Sequence, residues 1–282
     1  MTLIHVNNSC NQKCVFCLAL SRGSSLDNIP AVWIKRALKD KDSFVQITGG
    51  EPFLCDPDQL IEFCSFLLKK GKKIELQTNA SSVVSFALPK LRVLGGIIKA
   101  SGGYFNVNFS APDPRTDFAV TRSRGAFVKR LEGIRLLRTT GAKIRLTFVI
   151  NRKNYAVLPV FSEFVVHQRA FIDWIQFSFV KGAGLGDGLK KKIIPRYSEV
   201  SPYLIKAMEI LKKNGMEFEV DHIPPCFLGK YWRRNVDLWK MLKGVKGPHL
   251  KEKKKPGTCR GCVFYKFCPG PRTDYLQIYK KL

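Results

Sequence analysis

Residues 7–20 read NNSCNQKCVFCLAL and place Cys10, Cys14 and Cys17 on one short stretch. Three thiols cannot pair off among themselves as disulfides, and they fall one short of the four ligands of a structural zinc ion. They can hold three irons of a [4Fe–4S] cluster and leave the fourth iron without a protein ligand. An open position on a metal is where chemistry takes place. The stretch follows TLIHV (2–6), a strand-like run. The thiols therefore sit on the loop after a first strand, the kind of loop that carries active sites in parallel barrels.

Working outward, short β-like runs alternate with amphipathic helical ones. Strands are expected at 2–6, 43–48, 73–78, 104–110, 143–150 and 173–180. Helices are expected at 31–40, at 58–71 with Gly71 past its end, at 126–141, and at 156–168, where Pro159 starts or interrupts the helix. Such alternation builds parallel strands joined by crossover helices. Six strands predict an α/β fold, a partial (β/α)6 TIM-type barrel, since a closed barrel needs eight. The domain boundaries read as a core at 1–185, a linker helix and strand at 186–220, and a small cysteine-rich extension at 221–282. Within this, KGAGLGDGLKKKIIP (181–195) reads as a linker or mobile loop and not as a dinucleotide fingerprint, because the glycine spacing is wrong and no helix opens after it. A helix at 201–215 and a strand at 217–220 follow.

A second motif, QITGGEPFL (46–54), follows the second strand. Gly49 and Gly50 allow close backbone approach, Glu51 can accept hydrogen bonds from an ammonium group, and Pro52 fixes the exit. With C-x3-C-x2-C and GGEP on consecutive strand ends, residues 1–180 resemble the radical S-adenosylmethionine superfamily. The resemblance implies a [4Fe–4S] cluster on Cys10, Cys14 and Cys17 with Phe16 beside the last, and S-adenosylmethionine held by the Gly49–Gly50–Glu51–Pro52 segment. It also implies that Asn79, in LQTNA, lines the pocket. Ser110, in VNFSAPDPRTD, is expected to meet the ribose or the carboxylate, and Arg124 and Arg145 to pair the carboxylate. Asn154 recurs near the fifth strand. Each of these last five positions has a structural reading of equal weight. No residue is assigned as a general acid or base.

The tail holds C-x2-C-x5-C at Cys259, Cys262 and Cys268, with Cys226 upstream. Four thiolates suit one zinc ion or one cluster. Behind such a core the pattern is similar to the SPASM/twitch extension. The seven-cysteine version fails because position 272 is arginine, so the resemblance implies the shortened form with one auxiliary [4Fe–4S] cluster, fully ligated and acting as an electron relay. Cys64 reads as a small core residue, Cys55 as structural but near the barrel mouth, and His167 and His222 as structural or surface residues.

The 282 residues carry 48 Lys and Arg against 22 Asp and Glu, a net charge of +26. That balance fits either a solvated basic surface or a polyanionic partner such as nucleic acid. The densest run, HLKEKKKPG (249–257), reads as a flexible loop. No apolar run is long enough to span a bilayer. The first residues lack a secretory signal, and nine cysteines is an odd number, so reduced thiols in the cytoplasm are expected. The resemblance implies reductive cleavage of S-adenosylmethionine to a 5′-deoxyadenosyl radical that takes a hydrogen from the substrate. A peptide or protein substrate and an external electron donor such as ferredoxin or flavodoxin are expected. The alternatives are an RNA- or nucleotide-modifying enzyme and a non-catalytic iron–sulfur scaffold. The ending IYKKL counts against a guanosine-cyclising enzyme, whose relatives end in Gly-Gly.

Overall fold

Ile74 and Leu76 are completely buried on one face of a strand, while Glu75 and Gln77 alternate with them on the other. That alternation repeats from strand to strand. In the computed structural model, which describes residues 2–17, 30–39, 41–182, 187–245, 248–280 and 282, seven strands form one sheet in the order β1 to β7. They are β1 (Thr2–His5), β2 (Phe44–Thr48), β3 (Lys73–Thr78), β4 (Tyr104–Asn108), β5 (Lys143–Ile150), β6 (Trp174–Phe179) and β7 (Glu217–Asp221). β1 through β5 pair in parallel. The open parallel sheet with crossover helices is the expected α/β architecture, with one strand more than expected: the run at 217–220 joins the order as β7.

The chain divides into two compact units. The first comprises Met1–Phe109, Asp113–Thr147 and Arg169–Trp174; the second comprises Ser110–Pro112, Phe148–Gln168 and Ile175–Leu282.

In the first unit, helices α1 (Pro30–Lys39), α2 (Pro57–Lys69), α3 (Leu88–Ala100), α4 (Pro114–Thr121) and α5 (Ala126–Arg138) follow their strands. The α2 start is set by Asp56, whose carboxylate accepts from the backbone N–H groups of Asp58 and Gln59 at 3.0 Å each. The apolar strand face and the inner helix stripes make a dry core; Trp33 and Phe63 meet edge to face at 5.5 Å. The other strand face is polar. Glu75 accepts from Gln46, Gln77, Tyr104, Asn106 and Arg145 at 2.7–3.0 Å. Register explains the gathering: Gln46 and Tyr104 lie opposite Glu75, and Arg145 lies opposite Asn106. Burial opposes ionisation of Glu75, but Arg145 and the neutral donors outweigh it and hold its carboxyl below the usual range.

In the second unit, α6 (Leu158–His167) carries Pro159 in its first turn, where a missing N–H costs nothing. The described part of the expected 181–195 linker contains a helix, α7 (Asp187–Ile193); residues 183–186 lie outside the described residues. α8 (Tyr197–Lys213) holds Pro202 at its sixth position, where the missing N–H removes one helical hydrogen bond. Tyr197 stacks on Tyr275 at 4.0 Å between ring centres, which ties α8 to α11 (Thr273–Tyr279). Between these lie α9 (Val236–Leu242) and α10 (Pro248–Lys251). The run 249–257 is more ordered than expected: α10 enters it, and Lys253 forms an antiparallel bridge to Arg272.

Candidate functional site

The loop after β1 is pinned by the loop after β2. Gly50 N–H donates to the Asn7 carbonyl at 2.9 Å, and Glu51 N–H donates to the Ser9 carbonyl at 2.7 Å. Gly49 has φ +140°, and a β-carbon there would stand 2.3 Å from the Asn7 oxygen. At Gly50 it would stand 1.9 Å from the Ser9 oxygen. The two glycines thus let GGEP press against the backbone that leads into the cysteines, and Pro52 opens a 3-10 turn at Pro52–Leu54.

Glu51 is fully buried. Its Oε1 accepts from the Thr78 hydroxyl at 2.6 Å and from Phe53 N–H at 3.1 Å, and its Oε2 accepts from Asn79 N–H at 2.7 Å. A carboxylate has about four lone-pair directions, so one remains for a further donor. Burial outweighs the three donors and Arg130 and holds its pKa above the usual carboxylate range.

Cys10, Cys14 and Cys17 are all partly accessible. Gln12 N–H points to Cys10 Sγ at 3.4 Å, Asn79 Nδ2 to the same sulfur at 3.7 Å, and Cys17 N–H donates to the Cys14 carbonyl at 3.0 Å. Flanking Cys14, Lys13 and Val15 donate their N–H groups to the carbonyls of Thr121 and Val120, at 3.0 and 2.9 Å. Burial raises the Cys10 thiol and pushes Cys14 up to about 12, the latter against the pull of Arg130. Phe16 is half-buried beside them.

The remaining sequence-derived positions are spread out. Asn79 joins the front trio and also bonds Asn11 Oδ1 at 2.9 Å. Arg145 is ion-paired with Glu75 on the polar sheet face. Arg124 is exposed, 5.9 Å from the Phe118 ring centre. In the second unit, the Ser110 hydroxyl accepts from Val149 N–H at 2.9 Å, and Asn154 Nδ2 donates to the Ser110 carbonyl at 3.0 Å. Cys64 is the core residue expected. Cys55 receives the Asn7 Nδ2 hydrogen at 3.1 Å, so it props the same turn. Asn7 and Arg130 build the site without carrying any motif of their own, and Thr78 lies beside Asn79 in LQTNA.

The tail cysteines gather in the second unit. Cys226, Cys259, Cys262 and Cys268 line one pocket with Phe264 and Tyr265. Gly270, at φ +91°, turns its N–H onto Cys268 Sγ at 3.2 Å. Burial pushes Cys226 up to about 11 and raises Cys259 and Cys268. Among the described residues, Asp221, His222 and Asp237 are the group of three whose ligand atoms come within 4.8 Å of one another. The Asp221 group is filled by the chain itself: the buried Lys253 ammonium pairs with Asp237. His222 is buried there, and burial with the Lys253 charge holds its pKa well below the usual range.

Comparison with known proteins follows this geometry. Residues 4–158 match the family model described as the radical SAM superfamily. The chain is 26% identical over 187 residues to the Fe-coproporphyrin III synthase of Methanosarcina barkeri, covering 64% of this chain and 44% of that enzyme. Among solved structures, Streptococcus suis SuiB bound to precursor peptide SuiA superposes with a TM-score of 0.66 at 16% identity, over 99% of this chain and 73% of SuiB. Native anSMEcpe with bound AdoMet gives 0.62 at 15%, over 99% of this chain and 94% of that one.

Proposed function

Because this chain belongs to the radical S-adenosylmethionine superfamily, a superfamily of enzymes whose chemistry implies a [4Fe–4S] cluster and S-adenosylmethionine, we propose that it abstracts a hydrogen atom from a peptide or protein substrate and oxidises or cross-links it. The observation that carries the reading is the front loop, with three cysteines braced by GGEP and Asn79. The likeness in fold to SuiB, solved with its precursor peptide, supports the substrate class.

When bound, the cluster supplies one electron to S-adenosylmethionine and releases methionine and a 5′-deoxyadenosyl radical. The chain's own part is positioning. Cys10, Cys14 and Cys17 hold three irons. Glu51 offers its remaining lone pair to the methionine ammonium. Gly49 and Gly50 keep that carboxylate seated, and Pro52 sets the exit. Phe16, Asn79 and Arg124, all of the first unit, complete the cofactor pocket. Of the two arginines, Arg124 is the one offered to solvent and suits the methionine carboxylate, because Arg145 is committed to Glu75.

Cys226, Cys259, Cys262 and Cys268 hold one auxiliary [4Fe–4S] cluster in a twitch-like extension at 221–282, after a core at 1–185 and a linker at 186–220. The four-sulfur pocket supports this. A cluster held by all four thiolates would have every iron ligated and would supply an electron relay rather than a substrate-binding site. The electron donor is a ferredoxin or flavodoxin, and the enzyme works in the cytoplasm. Among the described residues no helix is long and apolar enough to cross a membrane.

The test is anaerobic reconstitution, an iron count and dithionite turnover with candidate peptides deuterated at single positions. Deuterium in 5′-deoxyadenosine identifies the hydrogen removed. Loaded, reduced protein that leaves S-adenosylmethionine intact would overturn the reading. The net charge of +26 favours a second reading, modification of RNA. RNA that co-purifies and dissociates steeply with salt, and that carries the label instead of a peptide, would establish it.

A further inference from the structure

Arg130 lies on α5 with its side chain completely buried in the first unit. Burying a guanidinium costs several kcal/mol unless its donors are met, and here they are met by three separate segments. Nη1 pairs with the Asp117 carboxylate of α4. Nη2 donates to the Asn108 carbonyl at the end of β4, and Nε to the Asn79 carbonyl after β3 at 3.1 Å. The guanidinium lies 4.7 Å from the Phe109 ring centre. One turn along α5, Gly133 lets the helix come close: a β-carbon there would stand 2.0 Å from the Ala80 carbonyl oxygen.

Two of those segments are the ones that brace the front cysteines. Asn79 points its Nδ2 at Cys10 Sγ. Val120 and Thr121, one turn beyond Asp117, take the backbone N–H groups on either side of Cys14. An apolar side chain there would orphan the Asp117 carboxylate and the two carbonyls, so the charge is held in place by its partners.

We propose that Arg130 is a positioning residue for the front cluster: it locks together the segments that brace Cys10 and Cys14 and sets a buried positive charge beside them, favouring the reduced state. This rests on the cluster reading above. Reduction adds one electron, from dithionite or a protein donor, and makes the centre one unit more negative; a nearby fixed cation stabilises that added charge.

The test compares reconstituted wild type, Asp117→Asn, Arg130→Lys and the double variant Arg130→Met with Asp117→Asn, by EPR-monitored redox titration. The front cluster is identified as the signal that changes on adding S-adenosylmethionine. At a fixed potential, Asp117→Asn is expected to raise the reduced fraction. The double variant is expected to fall roughly tenfold below Asp117→Asn. Arg130→Lys keeps the charge but loses the three-way grip, so it is expected to stay within about twofold of wild type while losing iron faster to a chelator. Equal potentials in the double variant and Asp117→Asn, both fully loaded, would overturn the proposal and leave the cluster reading intact. Should the double variant hold no iron, a tenfold fall in Arg130→Lys would overturn it, and wild-type potential with faster iron loss would support it. Wild type that takes up no iron at the front trio would overturn the cluster reading itself, and this proposal with it.

Discussion

Gly50 runs so close to Ser9 that no side chain fits between them: the Ser9 carbonyl oxygen stands 1.9 Å from the place a β-carbon would take. Gly50→Ala must therefore push the GGEP turn away from the cysteine loop. Overpacking of this kind costs about 1–3 kcal/mol. We expect a lower Tm and weaker iron retention at the front trio, read by thermal unfolding and iron analysis. Gly71→Ala, at a helix end with open space around it, should leave iron content unchanged.

Glu51→Gln keeps the shape but replaces one acceptor oxygen by an NH2 group. Three donors already converge on this carboxylate. An amide must turn its NH2 toward at least one of them, leaving buried donors facing each other, at a cost of about 1–3 kcal/mol. S-adenosylmethionine affinity should fall by at least tenfold in isothermal titration, with the front iron still present.

Cys268 is the tail thiol with the firmest local support, through Gly270 N–H. If the tail quartet holds its own cluster, Cys268→Ala should lower the iron count from about eight to about four per chain. Cleavage of S-adenosylmethionine should survive, while net oxidation of substrate is lost. The checks are iron analysis and quantification of 5′-deoxyadenosine.

Glu75 has its ionisation favoured by Arg145 and four neutral donors, which outweigh its burial. A carboxyl held below its ordinary value stabilises the fold fully above about pH 4.3 and loses that contribution as pH falls through the lower, folded-state value. Wild type should thus lose stability on acidification in that window. Glu75→Gln should be less stable at neutral pH, with a flatter acid limb in a pH series of denaturant unfolding.

The strands and the motif loops were legible because period-two alternation and cysteine spacing are local. Three features were not. Helix α3 carries Gly95 and Gly96 in its middle, residues that argue against a helix by propensity. Packing overrides propensity there, since a β-carbon on Gly95 would strike the Thr140 side chain at 2.2 Å. The strand at 217–220 reads the same alone as within a sheet, so its place as β7 shows only in the fold. Arg130, in AFVKRLEG, is indistinguishable in sequence from the solvated lysines and arginines around it. Its inward turn depends on Asp117, thirteen positions away, and on carbonyls of two other loops. Among the nine cysteines, spacing marked the front trio and Cys259, Cys262 and Cys268, whereas the part Cys55 plays in the GGEP turn shows only in the fold.

Each cysteine set is complete within its own compact unit: Cys10, Cys14 and Cys17 in the first, and Cys226, Cys259, Cys262 and Cys268 in the second. Damage by air should accordingly come in two instalments rather than one. If each set holds a cluster as proposed, exposure to oxygen should bleach the two centres on separate clocks, leaving half-bleached molecules with one of them intact.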